Sequence, residues 1–227
     1  MATEPVERHS RRTRWFHAAV YLVTLPLIFT GWWLLVGREG APSLLESALG
    51  TPDTTIHVWL GRGLAGLAVA ACVFGRGGVT TFVRETFRRD PGDGRWWRRW
   101  PAAAVSGRFA RHEGYFDPGQ RAANVAIVGG LLVLTVGGLV MTTVHGGPAY
   151  VWLHRVHRWA ALAVTVALTG HVLIAIGVLP GYRGVWKAMH RGGRLPEDVA
   201  RSIWPGWTER HGAPTGSSDT ASAGPTR

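Results

Sequence analysis

Apolar and polar positions separate along this chain into long blocks. Four runs, at about 15–36, 56–75, 122–142 and 151–179, are mostly apolar. Each is long enough to cross a hydrocarbon core of roughly 30 Å as a helix. The expected fold class is all-α, an integral membrane four-helix bundle. Residues 1–207 would form one transmembrane domain, and "TERHGAPTGSSDTASAGPTR" (208–227) reads as a low-complexity, disordered tail. Trp15 marks the inner edge of the first run, and Trp32 and Trp33 lie near its outer edge, as interfacial aromatic belts do. Pro26 is expected to kink this helix, with neighbours re-satisfying the freed carbonyl. Spans two and three are rich in Gly and Ala, which let helices or a flat cofactor come close. The first span opens on "SRRTRWF", a basic start. Its apolar run is too long for an ordinary signal peptide and no small-x-small site follows, so it is expected to be retained.

Charge orients these spans. The chain has 25 Lys+Arg against 14 Asp+Glu, for a net +11. Its placement points to a membrane rather than to nucleic acid. Arg8, Arg11, Arg12 and Arg14 precede span one, ten basic residues lie between Arg76 and Arg121, and seven follow Pro180. The connection between spans one and two has only Arg38, against Glu39, Glu46 and Asp53. That between spans three and four has His145 and no Lys or Arg before His154. By the positive-inside rule both termini and the long basic loop between helices two and three are cytoplasmic, in a multi-pass protein of the inner (plasma) membrane. Within that loop, "VTTFVRETFRRD" gathers Phe82, Val83, Thr86 and Phe87 near one helical face. A short helix on the inner surface, drawn to anionic lipid, is expected there. "RWWRRWP" reads as more of the same basic anchor. The single cysteine, Cys72, excludes an intrachain disulfide, a C-x-x-C-H haem attachment and an iron–sulfur cluster held by this chain alone.

The histidines carry the candidate chemistry. His157 and His171 are 14 residues apart on span four. At about 100° and 1.5 Å per residue they share nearly one helical face and stand roughly 21 Å apart. His154 falls off that face. His57 opens span two at the outer level of His157, and His17 begins span one at the inner level of His171. Depth alone pairs His57 with His157 and His17 with His171. Two such pairs suit two haem b groups with bis-histidine ligation, and so electron transfer across the membrane to a quinone. A single interfacial histidine is ordinarily just hydrogen-bonded, so a haem-free anchor is the alternative from another class. Gly31 lies 14 residues after His17, and Gly138 lies 14 after Asn124. Either could leave room for a porphyrin face or serve ordinary helix packing. Arg62, Arg155 and Arg158 could pair with haem propionates or snorkel to the surface. In "GYFDPGQRAAN", Asp117, Gln120 and Asn124 could meet a quinone or carry protons. Asp117 as helix N-cap before Pro118 explains the same residues and is favoured on the residues alone.

Several of these segments together resemble the membrane cytochrome b (gamma) subunit of respiratory formate dehydrogenases, in the wider group of hydrogenase and thiosulfate reductase cytochromes b. They are "RRTRWFH", Thr30-Gly31, His57, "FDPGQRAAN", "HRVHRWAALAVTVALTGH" and "GVWKAMHRGGRLPEDVARSIWPGW", over about residues 8–207. The resemblance implies that His17, His57, His157 and His171 ligate two b haems. It implies that the outer haem takes electrons from an iron–sulfur subunit, itself fed by a molybdenum or tungsten catalytic subunit. The inner haem would then reduce menaquinone near Asp117, Gly119, Gln120 and His171, with proton uptake inside. Asp117 and Pro118 stand where that family commonly has Asn and Ala. A stand-alone di-haem cytochrome b oxidising superoxide or another small reductant is the alternative within the same class.

Overall fold

The computed structural model describes residues 5–37 and 41–211. Arg38, Glu39 and the tail beyond His211 lie outside the described residues. Among the described residues four helices are long and apolar enough to cross a membrane: α1 (Arg11–Leu35), α3 (Asp53–Phe74), α6 (Pro118–Met141) and α7 (Gly147–Ala175). The short α2 (Leu44–Leu49) lies on the connection between α1 and α3. The basic middle segment forms α4 (Arg76–Thr86) and α5 (Asp93–Ser106). After α7 come α8 (Trp186–His190), α9 (Glu197–Ile203) and α10 (Pro205–His211). Two three-residue strands, β1 (Pro5–Glu7) and β2 (Arg194–Pro196), pair antiparallel with Val6 opposite Leu195.

Local chemistry sets the helix ends. The Ser10 hydroxyl accepts from Thr13 N at 3.2 Å and starts α1. The helix runs through Pro26 to Leu35 without interruption. Asp117 accepts from Gln120 N at 2.8 Å and starts α6, with Pro118 in its first turn. A π-turn over Val125–Gly129 follows inside this span. The fourth span stops at Ala175 instead of reaching 179. Gly177 adopts φ 81°, and Val178 N closes on the Leu173 carbonyl at 3.1 Å, a left-handed helix stop.

The spanning helices form two well-packed pairs, α1 with α3 and α6 with α7, which meet less extensively along α3–α6 and α1–α7. The interior repeats every seven residues, about 10.5 Å of helix. Val164 lies seven residues after His157 and seven before His171 and is 2 % exposed. Thr24 stands midway between His17 and Gly31, and Leu64 lies seven after His57; both are buried. Gly130 meets Val164 so closely that a Cβ would collide with its Cγ2. A tight, mostly apolar middle layer therefore separates an outer histidine level from an inner one.

The basic segments fold into a cap on the side that the charge rule places in the cytoplasm. Trp96 of "RWWRRWP" is 1 % exposed and packs against Phe109 and Trp100. That segment is thus part of a packed core as well as a basic surface. The core also takes Val6, Leu195, Ile203, Trp204 and Trp207, which is why the strand pair forms at all. The Arg8 guanidinium lies 3.6 Å from the Tyr115 ring and 4.2 and 4.4 Å from those of Trp204 and Trp207. Arg121 bonds Asp93 at 2.5 Å, and Arg111 holds Glu209 through two 2.7 Å bonds. α10 buries Thr208 fully and continues to His211, so the packed unit extends past residue 207.

His112 is 2 % exposed in this cap, and among the described residues its ring nitrogens make no hydrogen bond of good geometry, although the Ala110 backbone lies close. Burial outweighs the opposing pull of the Ala110 backbone and Asp90 and, with Arg121 and Arg8 acting in the same direction, pushes its pKa down to about 4. The unfolded imidazole binds a proton near pH 6.5 and the folded one does not. Its contribution to stability is therefore complete above pH 6.5 and lost as pH falls toward 4, on the order of 3 kcal/mol. His112→Phe should leave the cap at least as stable at pH 7. It should also flatten the acid-side loss, read as urea-dependent trypsin cleavage within residues 76–117. An unchanged pH slope in the variant contradicts this assignment.

Candidate functional site

The chain brings four histidine side chains together at the two levels described above. In the outer layer, the rings of His57 (α3) and His157 (α7) have centres 6.2 Å apart with planes at 74°. In the inner layer, His17 (α1) and His171 (α7) have ring centres 6.5 Å apart at 53°. Both pairs bridge the seam between the two packed helix pairs. His154 takes no part: it is exposed and stacks on Tyr150, ring centres 6.3 Å apart.

The outer pair is held from behind. The Thr30 hydroxyl, fully buried, lies 2.8 Å from His57 Nδ1, 2.9 Å from the Pro26 carbonyl and 3.2 Å from that of Leu27. With its one proton on a carbonyl of its own helix, as threonine commonly arranges in helices, its oxygen accepts from His57 Nδ1–H. In that arrangement His57 Nε2 keeps a free lone pair. Gly31 makes the approach possible, because a Cβ there would stand 3.3 Å from His57 Cε1. Gly138 faces His157 in the same way, with more room: a Cβ there would stand 3.4 Å from His157 Cε1, an ordinary contact. Both glycines thus admit histidine rings close to a helix backbone. His157 Nδ1 is buried, with no hydrogen bond of good geometry; the Leu134 carbonyl lies on that side.

The inner pair has a different setting. His17 Nδ1 is buried and has no hydrogen-bond partner. Its ring meets Tyr21 at 5.7 Å and His190 of α8 at 5.9 Å, and the latter two rings are 6.0 Å apart. No described cluster of His, Cys, Asp and Glu forms a conventional three-ligand metal site. A pair of imidazoles suffices for a metal whose remaining ligands come from a macrocycle. Two imidazoles bound on opposite sides of one metal at about 2.0–2.1 Å per bond have ring centres roughly 6–6.5 Å apart. Both observed pairs fall in that interval, and rotation about the shared axis permits any angle between the planes.

Residues 8–192 match the family of prokaryotic cytochrome b561. The chain belongs to that family. It is a multi-pass membrane cytochrome that carries electrons across the bilayer on b-type haem. Among curated proteins none matches the chain.

The other candidate positions of this cytochrome divide. Arg62 is exposed and stacks on Trp59, with its guanidinium 4.9 Å from the ring, and Arg155 and Arg158 are exposed on α7. Asp117 is buried as the α6 cap, and burial raises its pKa to about 6 against the pull of Arg8 and Arg121. Gly119 faces the cap, where a Cβ would lie 2.8 Å from Trp96 Cη2. Gln120 is half-buried with no side-chain hydrogen bond among the described residues. Asn124 donates to the Thr86 hydroxyl at 3.1 Å. Sequence reasoning had not weighed Thr30 as a partner of His57, although it stands beside Gly31 one helical turn after Pro26. His190 carried no signal, since a histidine in a polar segment has no depth to read.

Thr30→Val keeps the shape and removes the acceptor behind His57. Loss of such a partner typically costs about 10–100-fold in metal affinity. The expected result is weaker haem retention at one site only, measured by haem titration of the apoprotein. Binding indistinguishable from wild type would show that Thr30 does not orient a ligand.

Proposed function

We propose that this cytochrome holds two b haems, one between His57 and His157 and one between His17 and His171, and passes electrons from the outer side to a quinone on the inner side. The observation that carries the reading is the pair of ring separations, 6.2 and 6.5 Å, at two levels of one helix bundle. The engaged Nδ1 of His57 and the glycines behind His57 and His157 add support, since ligating histidines are held by their other nitrogen. Bound there, haem supplies a one-electron carrier at each level. The protein's part is to present Nε2 of each imidazole and to keep the middle layer dry with Val164 and Leu64. It also closes the inner end with a folded basic cap.

The partners we propose are those of a formate dehydrogenase-like complex. An iron–sulfur subunit with a molybdenum or tungsten catalytic subunit would deliver electrons outside, and menaquinone would accept them inside. Of the turn Asp117–Gln120, Gln120 has a side chain available to a quinone, while Asp117 and Gly119 are committed to the cap. Arg62 and Arg158 remain candidates for haem propionates only if their exposed side chains turn inward.

Single alanine variants of the four histidines test the site assignment. His57→Ala and His157→Ala should lose the same haem, and His17→Ala and His171→Ala the other, as judged by haem content and spectra. Any other grouping contradicts the pairing. Reduction of the wild-type haems by a menaquinol analogue in vesicles tests the quinone end. No reduction by quinol, with reduction by dithionite intact, would favour a stand-alone cytochrome using another small reductant.

A further inference from the structure

The two histidine levels differ in what stands behind the rings. At the outer level Thr30 accepts from His57 Nδ1 at 2.8 Å. At the inner level His17 Nδ1 is buried and, like His157 Nδ1 at the outer level, has no hydrogen-bond partner of good geometry among the described residues. A buried imidazole N–H without an acceptor is costly, and a ligating histidine ordinarily donates it to one. Besides His171, the side-chain rings that meet His17 are those of Tyr21 and His190.

His190 does not reach this place by chance. It ends α8, and the chain then turns through Gly192 and Gly193, with φ 77° and 83°. The Gly193 carbonyl accepts from Arg8 N at 2.7 Å and His9 N at 3.1 Å. A side chain at Gly193 would run into the His9 carbonyl. The turn is thereby pinned to the segment that leads directly into α1, which begins six residues before His17. β1–β2 pairing and the buried Leu195 secure the other side. The cap thus sets the His190 ring 5.9 Å from that of His17.

We propose that His190 is the positioning residue of the inner haem ligand, accepting the hydrogen bond from His17 Nδ1–H. This rests on the two-haem reading. An acceptor on Nδ1–H makes the imidazole a stronger electron donor and so favours the oxidised iron. Removing it should raise the midpoint potential of the inner haem and leave the outer one where it was. The cap would then tune one end of the electron path through a single side chain.

The test is a redox titration of the full-length protein with its haems, followed optically, in wild type, His190→Ala, His190→Gln and Tyr21→Phe. His190→Ala should keep both haems and move one of the two potentials upward. His190→Gln, whose amide oxygen can still accept, should lie nearer wild type and covers the case that the alanine variant fails to fold. Tyr21→Phe should leave both potentials unchanged. Unchanged potentials in His190→Ala, equal shifts in the alanine and glutamine variants, or a shift only in Tyr21→Phe would each overturn the proposal. So would loss of one haem in both His190→Ala and His190→Gln, which would make His190 a ligand. A wild type that titrates with a single haem defeats the two-haem reading itself, independently of His190.

Discussion

Four imidazoles inside a bilayer are the constraint around which this protein is arranged. Each polar ring placed among apolar helices loses water and needs a partner in return. The four meet in two pairs, and both pairs lie on the seam between the packed helix couples α1–α3 and α6–α7. The two couples meet less extensively with each other than their members do within each couple, and the seam between them is where the histidines lie. In this family the bound group is b-type haem.

The spacing of the levels follows from helix geometry. Seven-residue steps from His157 to Val164 to His171 keep one face of α7 on the seam for two full heptads. α1 repeats the step through His17, Thr24 and Gly31, and α3 through His57 and Leu64. The middle step is filled by Val164 pressed on Gly130, which leaves no room for a third polar level. Glycine serves the same geometry in a second way at Gly31 and Gly138. There the missing Cβ admits a histidine ring rather than a neighbouring helix.

Much of this was legible from residue order. Apolar runs located the spans to within a few residues, because hydrophobic length is fixed by bilayer thickness. The fourth ended early because Gly177 takes a left-handed conformation that hydropathy does not register. Depth and helical phase brought His57 to His157 and His17 to His171, since both properties are one-dimensional along a straight helix. The cap was largely illegible. Its core joins β1, α5, β2 and α9 across most of the chain, and contacts of that range leave no local period. Hence Trp96 read as an anchor although it is a core residue, and Gly119 read as part of a quinone site although it faces Trp96, whereas the Asp117 cap was legible because an N-cap before Pro118 is a local signal. His190 was missed for the same reason, because only the folded cap carries it to α1.

The central claim is that two separate imidazole pairs each close on one iron. The most direct measurement is the haem content of the purified full-length protein, as pyridine haemochrome against protein mass by amino-acid analysis. The account predicts close to two b haems per chain, both low-spin, as two strong axial imidazoles require. One haem per chain, or none, would contradict it.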